Sequence, residues 1–195
     1  YERNPLFKGG ARGQVINTLI YDPGQRAMHY NLIAEEWLGH KYSTGQMVMR
    51  GNVMRAGPST EQLAFFMVGG SGNVDVFSED NLVVDRIGNK LPANGSYTTT
   101  PVVVNDLKKA PVLPFGVNVL PASKVQDAVV AEAGARPWDR DDIDRRILAD
   151  VIEGRGKIID SENEVGGYPV QAETRQAFVP ADWNRDTMEP LKPLA

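Results

Sequence analysis

Three segments of the chain repeat one phrase, and this repetition constrains the fold more than any other feature. Each segment opens with Gly and an amide residue, continues as a short apolar strand, breaks at a polar residue and ends in a second short strand. The three segments are 13–21, 45–54 and 72–84. Their polar breaks end in Thr18, Asn52 and Asn81. The breaks lie roughly 30 residues apart, within the period of solenoid and array proteins.

Two short strands joined by a polar corner, with a longer connection to the next pair, are typical of a coil of a parallel β-helix. Asn suits such a corner because it tolerates left-handed backbone and bonds locally to the main chain. We therefore predict an all-β fold, a right-handed parallel β-helix (solenoid), with the polar break residues stacked above one another. The predicted interior residues are Val15, Leu19, Met47, Val53, Val74 and Leu82. An antiparallel sandwich is the alternative, and long irregular connections such as 22–44 disfavour it.

The pattern changes near residue 90. We interpret 1–90 as coils and 91–195 as a Pro- and Thr-rich strap with two short α-helices that pack on the coils. Ser123 is the predicted N-cap of a helix over 124–133, and Asp139 or Asp141 that of a second helix ending at Gly154. About 30 helical residues are too few for a core of their own. The second helix is therefore expected to bury Ile143, Ile147 and Val151.

Composition and charge narrow the possible partners. The chain has no Cys, which excludes a disulfide scaffold and a thiolate metal site. Its net charge of −4 does not favour steering of a polyanion by the whole molecule. Only the first 30 residues are locally basic, through Arg3, Lys8, Arg12 and Arg26. No apolar run has the length of a membrane span. We expect an acidic ligand near the N-terminal stretch, and neither a nucleic acid nor a membrane as partner.

Two further phrases carry a resemblance to a known family. The phrase Arg3-x-Pro5-x-x-Lys8 resembles the Arg-x-Pro-x-x-Arg motif of family 1 pectate lyases, which precedes a strand with a paired-Asn corner. Here Asn17 and Thr18 follow, so Thr18 replaces an Asn and Lys8 replaces the second Arg. The stretches 135–139, 155–161 and 164–169 are similar to the C-terminal region of bacterial pectate-lyase-like proteins.

The resemblance implies a secreted or periplasmic lyase that cleaves a polyuronate such as pectate by β-elimination. A proton leaves C5 of the uronate and the glycosidic oxygen leaves C4. The family pattern makes Arg3 the base and Lys8 a ligand of a substrate carboxylate, and we add Arg12 and Arg26 as substrate-binding residues. It also implies calcium as cofactor. The acidic calcium ligands lie before the motif in the family, so they are expected upstream of Tyr1, in an N-terminal part of the protein on the same or an associated chain.

A second class of function stays open. The chain could equally form a non-catalytic β-helix that binds or presents polysaccharide, as an adhesin or spike module does. Arg3 and Lys8 would then be ordinary exposed charges. His29 and His40 have no metal-like partners in the sequence. Trp37 and Tyr42, on a long connection, are candidates for stacking on a sugar ring.

Overall fold

The computed structural model describes residues 1–61, 63–98, 103–111, 116–170, 179–187 and 189–191. The chain divides into two compact units, Tyr1–Ile158 and Ile159–Ala195. Among the described residues, neither α-helix combines the length and the apolar character that a membrane crossing requires.

Three parallel sheets build the first unit. Sheet A contains β1 (Leu6–Lys8), β4 (Met28–Leu32), β7 (Phe66–Gly70) and β10 (Asn94–Ser96). Sheet B contains β2 (Arg12–Ile16), β5 (Gly45–Arg50), β8 (Val74–Glu79) and β11 (Val104–Asp106). Sheet C contains β3 (Leu19–Tyr21), β6 (Val53–Arg55) and β9 (Leu82–Val84). The chain visits A, B and C in turn, and each strand pairs in parallel with its counterpart in the next coil.

These strands form about three turns of solenoid, which confirms the parallel β-helix. Coils 1, 2 and 3 consist of β1–β3, β4–β6 and β7–β9. Strands β10 and β11 then extend sheets A and B, so coil structure continues past residue 90. The strands of sheet A are not predicted from the sequence. Strand β4, for example, lies inside the segment 22–44, which has the pattern of an irregular connection.

The solenoid interior is apolar, and half of its predicted members are correct. Val15, Met47 and Val74 are buried in the main core. The prediction is wrong for a row of three residues in sheet C that align in register and face away from the interior. This row is Leu19, Val53 and Leu82. Their neighbours Ile20, Met54 and Val83 fill the core instead.

The polar corner between sheets B and C explains why the inward and outward positions of sheet C are the reverse of those predicted. Asn52 is fully buried, and its side-chain amide donates to the Val15 carbonyl (2.8 Å) and to Asn81 Oδ1 (2.8 Å) while its Oδ1 accepts from the Thr18 N–H (3.0 Å). Asn81 in turn donates to the Met49 carbonyl (2.9 Å). The stacking of the three break residues is confirmed. Because the ladder residue itself points inward, strand alternation turns the next residue outward.

The first residue of each corner adopts left-handed backbone and holds the segment that leads into the helices. These residues are Asn17 (φ 54°), Gly51 (φ 58°) and Asp80 (φ 49°). Asn17 donates to the Asn118 carbonyl (2.8 Å) and accepts from the Leu120 N–H (2.9 Å). Gly51 lies directly under the Leu120 carbonyl oxygen, where any side chain would overlap it. The corner thus serves both the ladder inside and the docking of residues 118–120 outside.

Helix α1 (Ala122–Glu132) covers Leu19 and Val53 of the outward row of sheet C but not Leu82. Val53 is therefore only 2% exposed, whereas Leu82 is 39% exposed. The predicted Ser123 cap of α1 is wrong. The helix begins at Ala122, two residues earlier than predicted, and Asp80 of coil 3 accepts from the Ala122 N–H (2.9 Å). At the other end, Arg140 donates to three terminal carbonyls of α1, which satisfies groups that a helix leaves unpaired.

Helix α2 (Asp142–Glu153) has the predicted boundaries. Asp141 caps it by accepting from the Asp144 N–H (2.9 Å), and Gly154 ends it in left-handed backbone. The expected burial of its apolar residues is wrong, because no residue of α2 is buried. Ile143 and Val151 are half-buried, and Ile147 is 49% exposed.

Polar bonds rather than an apolar stripe connect the end of α2 to sheet C. Arg55 of β6 donates to the Val151 carbonyl (3.1 Å), and the Tyr21 hydroxyl of β3 donates to the Arg155 carbonyl (2.7 Å).

The second unit is small. Its described part contains two 3₁₀ turns, Glu162–Val165 and Pro180–Asp182, and a short antiparallel pair of β12 (Trp183–Asn184) and β13 (Glu189–Pro190). Ser161 and Glu164 form a reciprocal capping box around the first turn.

Candidate functional site

Several basic and polar side chains lie on the outer face of sheet A. Strand alternation places Met28 and Tyr30 of β4 in the core, so His29 and Asn31 lie on the outer face. The parallel register aligns Lys8 of β1 with Asn31. Asn31 is aligned in turn with Gly69 of β7. Lys8, Asn31 and Gly69 therefore form one row across the face.

Tyr97 completes this face from the partial fourth coil. Its ring lies directly over Gly69, where any side chain would overlap it. The ring meets His29 edge-on with centroids 5.6 Å apart, and the Arg26 guanidinium lies 4.4 Å above its centroid. We call Lys8, Arg26, His29, Asn31 and Tyr97 the sheet A cluster.

The surroundings of His29 in this cluster favour its neutral form. His29 is 2% exposed, and burial lowers its pKa below the ordinary value. The positive charges of Arg26 and Arg3 lower that pKa further, against the opposing effect of the Glu2 carbonyl and charge. Its Nδ1 lies 2.6 Å from the Glu2 carbonyl oxygen, and only a protonated Nδ1 can donate to a carbonyl. The neutral ring therefore presents Nε2 as a hydrogen-bond acceptor.

Three buried polar atoms of the cluster have no hydrogen-bond partner in the described part of the chain. They are Arg26 Nε, Asn31 Oδ1 and Tyr97 OH. Asn31 is only 8% exposed. Buried polar groups are nearly always bonded, so a donor, an acceptor and a hydroxyl left open together indicate a site for a polar ligand.

The predicted site residues divide between two faces. Arg3 is exposed, forms no ion pair with a described residue, and lines a depression of about 610 Å³ at the N-terminal end of the stack. Lys8 pairs with Glu36, and Arg26 pairs with Glu2. Lys8 and Arg26 thus belong to the sheet A cluster, and Arg3 lies close enough for its charge to lower the pKa of His29. The roles of all three stay predictions.

Arg12 lies elsewhere. It is the exposed first residue of β2 and is aligned with Gln46, so it belongs to sheet B, around a corner from Lys8. Its proposed contact with substrate stays a prediction, without support from its position. Sequence reasoning did not find Asn31 or Tyr97, since only the stacking of coils brings them to Lys8 and Arg26.

The connection 33–44 crosses from sheet A to sheet B beside the cluster. The Trp37 indole packs closely on Gly9, and His40 meets the Trp37 ring edge-on with centroids 6.2 Å apart. Tyr42 on the same connection is 49% exposed. Part of the Trp37 ring therefore packs against coil 1 and holds this connection in place.

The described residues do not form a metal site. Nowhere in the described ranges do three or more His, Asp or Glu side chains come together as ligands. The calcium that the resemblance implies would need ligands from outside the described residues, and no step below depends on it.

Comparisons of the chain with protein-family models, with curated proteins and with solved structures found no match. Its function is therefore argued from its own fold and side chains.

Proposed function

We propose that the chain is part of a polysaccharide lyase that binds a polyuronate, such as pectate, across the outer face of sheet A and cleaves it by β-elimination. One observation carries this proposal. Three cations from the basic N-terminal stretch, Arg3, Lys8 and Arg26, lie around a face that also holds buried polar atoms without partners. The parallel β-helix is compatible with this activity, and equally with polysaccharide binding alone.

Binding follows from the chemistry of the cluster. Lys8 and Arg26 offer positive charge to carboxylates that recur along a polyuronate, and Arg26 can bind a carboxylate through two parallel bonds. The Asn31 carbonyl oxygen can accept from a sugar hydroxyl, and the Tyr97 hydroxyl can donate to one. The neutral His29 ring offers a further acceptor.

Elimination assigns distinct roles to Arg3 and Lys8. In its neutral form, the Arg3 guanidine would take the C5 proton; the released electron pair forms the C4=C5 double bond, and the glycosidic oxygen leaves C4 and takes a proton from water. A free guanidinium holds its proton too strongly for this role. The role therefore requires surroundings that disfavour the charged form, whereas Lys8 binds the uronate carboxylate of the substrate.

The remaining parts of the proposal concern what lies outside this chain. The calcium ligands would belong to an N-terminal part of the same protein, on the same chain or on an associated one. The protein would act in a secreted or periplasmic setting, where its polysaccharide substrate occurs.

Turnover of polygalacturonate by the full protein tests the lyase proposal, followed by the absorbance of the unsaturated uronide. Arg3→Ala should lower kcat by about 10²–10⁴-fold, the contribution typical of a general base. Lys8→Gln should mainly raise KM. Lys124→Ala, which removes an exposed charge from α1 over sheet C, is the control and should change neither constant. Unchanged turnover in Arg3→Ala would contradict the assignment of the base.

A non-catalytic binding module is the second candidate. The charges of Lys8 and Arg26 and the open polar atoms of the cluster can bind an acidic polysaccharide without a catalytic base. Binding of polygalacturonate by the folded full protein, with no unsaturated product from any polyuronate, would decide for this candidate.

A further inference from the structure

We propose that the Glu36 carboxylate is an internal substitute for a substrate carboxylate, which pairs with Lys8 in the free protein and is displaced when an acidic polysaccharide binds. This inference rests on the proposed function of the sheet A cluster and adds a regulatory contact to it. It also explains how a cation needed for substrate can be paired in the free protein.

The contact joins two coils. Lys8 ends β1 in coil 1, whereas Glu36 lies in the 3₁₀ turn Ala34–Trp37 of the connection that follows β4 in coil 2. The Lys8 ammonium pairs directly with Glu36 Oε2, and the two side chains are 42% and 47% exposed. An incoming carboxylate can therefore reach the ammonium group from solvent.

The connection 33–44 can move at small cost. No residue of its 3₁₀ turn is buried, and Leu38 is 81% exposed. Its contacts with coil 1 include Trp37 against Gly9 and Ser43 against Gly10. Segments with few buried apolar contacts open most easily in folded proteins.

The exchange favours a charged polymer. A uronate carboxylate has the same charge and the same two oxygens as Glu36, so it replaces one ion pair by another while Glu36 regains water. A neutral polysaccharide would separate Lys8 from Glu36 and offer no charge in return. The pair therefore acts as a filter against neutral sugars as well as a closed state of the site.

The chain offers a matched control one residue away. Glu35 lies in the same 3₁₀ turn, is exposed, and forms no ion pair with a described residue. Glu35→Gln removes the same charge from the same connection without touching Lys8. The two variants share any general gain from lower negative charge, and only Glu36→Gln releases the ammonium group.

Dissociation constants for polygalacturonate, measured on the full protein at one ionic strength, test the inference. Glu36→Gln should bind about two- to fivefold more tightly than Glu35→Gln, the range expected from an exposed ion pair. In a Lys8→Gln background this advantage should disappear, because the two residues act through one contact.

Each result separates the inference from the proposed function. If the wild-type protein binds polygalacturonate but the Glu36 and Glu35 variants bind alike, the inference is overturned and the proposed function stands. An advantage of Glu36→Gln that persists without Lys8 also overturns it. If none of the variants binds, Glu36→Gln included, the exchange has no incoming partner and both proposals fall.

Discussion

The two corners of the solenoid differ in how much their length varies from one coil to the next. The corner between sheets B and C always spans two residues, 17–18, 51–52 and 80–81. The corner between sheets A and B spans 9–11, 33–44 and 71–73. The first carries the buried ladder of amides, so its length and backbone are fixed by bonds inside the stack. The second has no such ladder in these described segments, and its freedom to vary lets it carry groups such as Glu36 beside the sheet A cluster.

The largest effect should come from the ladder itself. Asn52→Ala removes the partners of the Thr18 N–H and the Val15 carbonyl, which stay in the interior. We expect a loss of about 3 kcal/mol in the free energy of unfolding, since each buried unbonded group costs about 1–3 kcal/mol. Urea unfolding followed by circular dichroism measures it.

Asn73→Ala is the control at the other corner. Asn73 is exposed, and its main-chain carbonyl, which accepts from Gly45, survives the change. The unfolding free energy should stay within about 0.5 kcal/mol of the wild type. Equal losses at Asn52 and Asn73 would show that the two corners are not different in kind.

A smaller effect should distinguish two glycines with left-handed backbone. Gly51→Ala at the ladder corner adds a methyl group that overlaps the Leu120 carbonyl oxygen, in addition to the backbone strain at φ 58°. Gly39→Ala, on the connection 33–44, meets nothing within 4 Å and adds strain alone at φ 81°.

We expect a loss of about 2–3 kcal/mol in unfolding free energy for Gly51→Ala and of about 1 kcal/mol for Gly39→Ala. The same urea experiment measures both. A Gly39→Ala variant as unstable as Gly51→Ala would contradict the idea that residues 118–120 dock on the ladder corner.

The sequence predicts what repeats locally and not what depends on stacking. The phrase common to 13–21, 45–54 and 72–84 was sufficient to predict the solenoid and the ladder. It could not predict that the ladder residue takes the inward position. Because it does, the next residues along the chain, Leu19 and Val53, face outward. The Asp80 cap of α1 is equally hidden, because the cap comes from a different coil.

Of the candidate site, only the positively charged residues were predicted from the sequence. Arg3, Lys8 and Arg26 lie in the basic N-terminal stretch and were recognised there. Asn31 and Tyr97 were missed, because β4 has no repeat signal and Tyr97 reaches the face only through the register of β10 on β7. The motif thus contributes Lys8 to the outer face of sheet A, whereas Asn31 and Tyr97 come from later coils.

The most direct test of the account is where an acidic oligosaccharide protects the backbone. Hydrogen exchange of the full protein, read by mass spectrometry with and without oligogalacturonate, should show slower exchange in peptides that contain β1 and β4. The connection 33–44 should change as well, while peptides over 51–53 and 118–122 should not. Protection confined to the corner of sheets B and C, or no protection at a concentration that saturates binding, would contradict the assignment of the outer face of sheet A as the polysaccharide site.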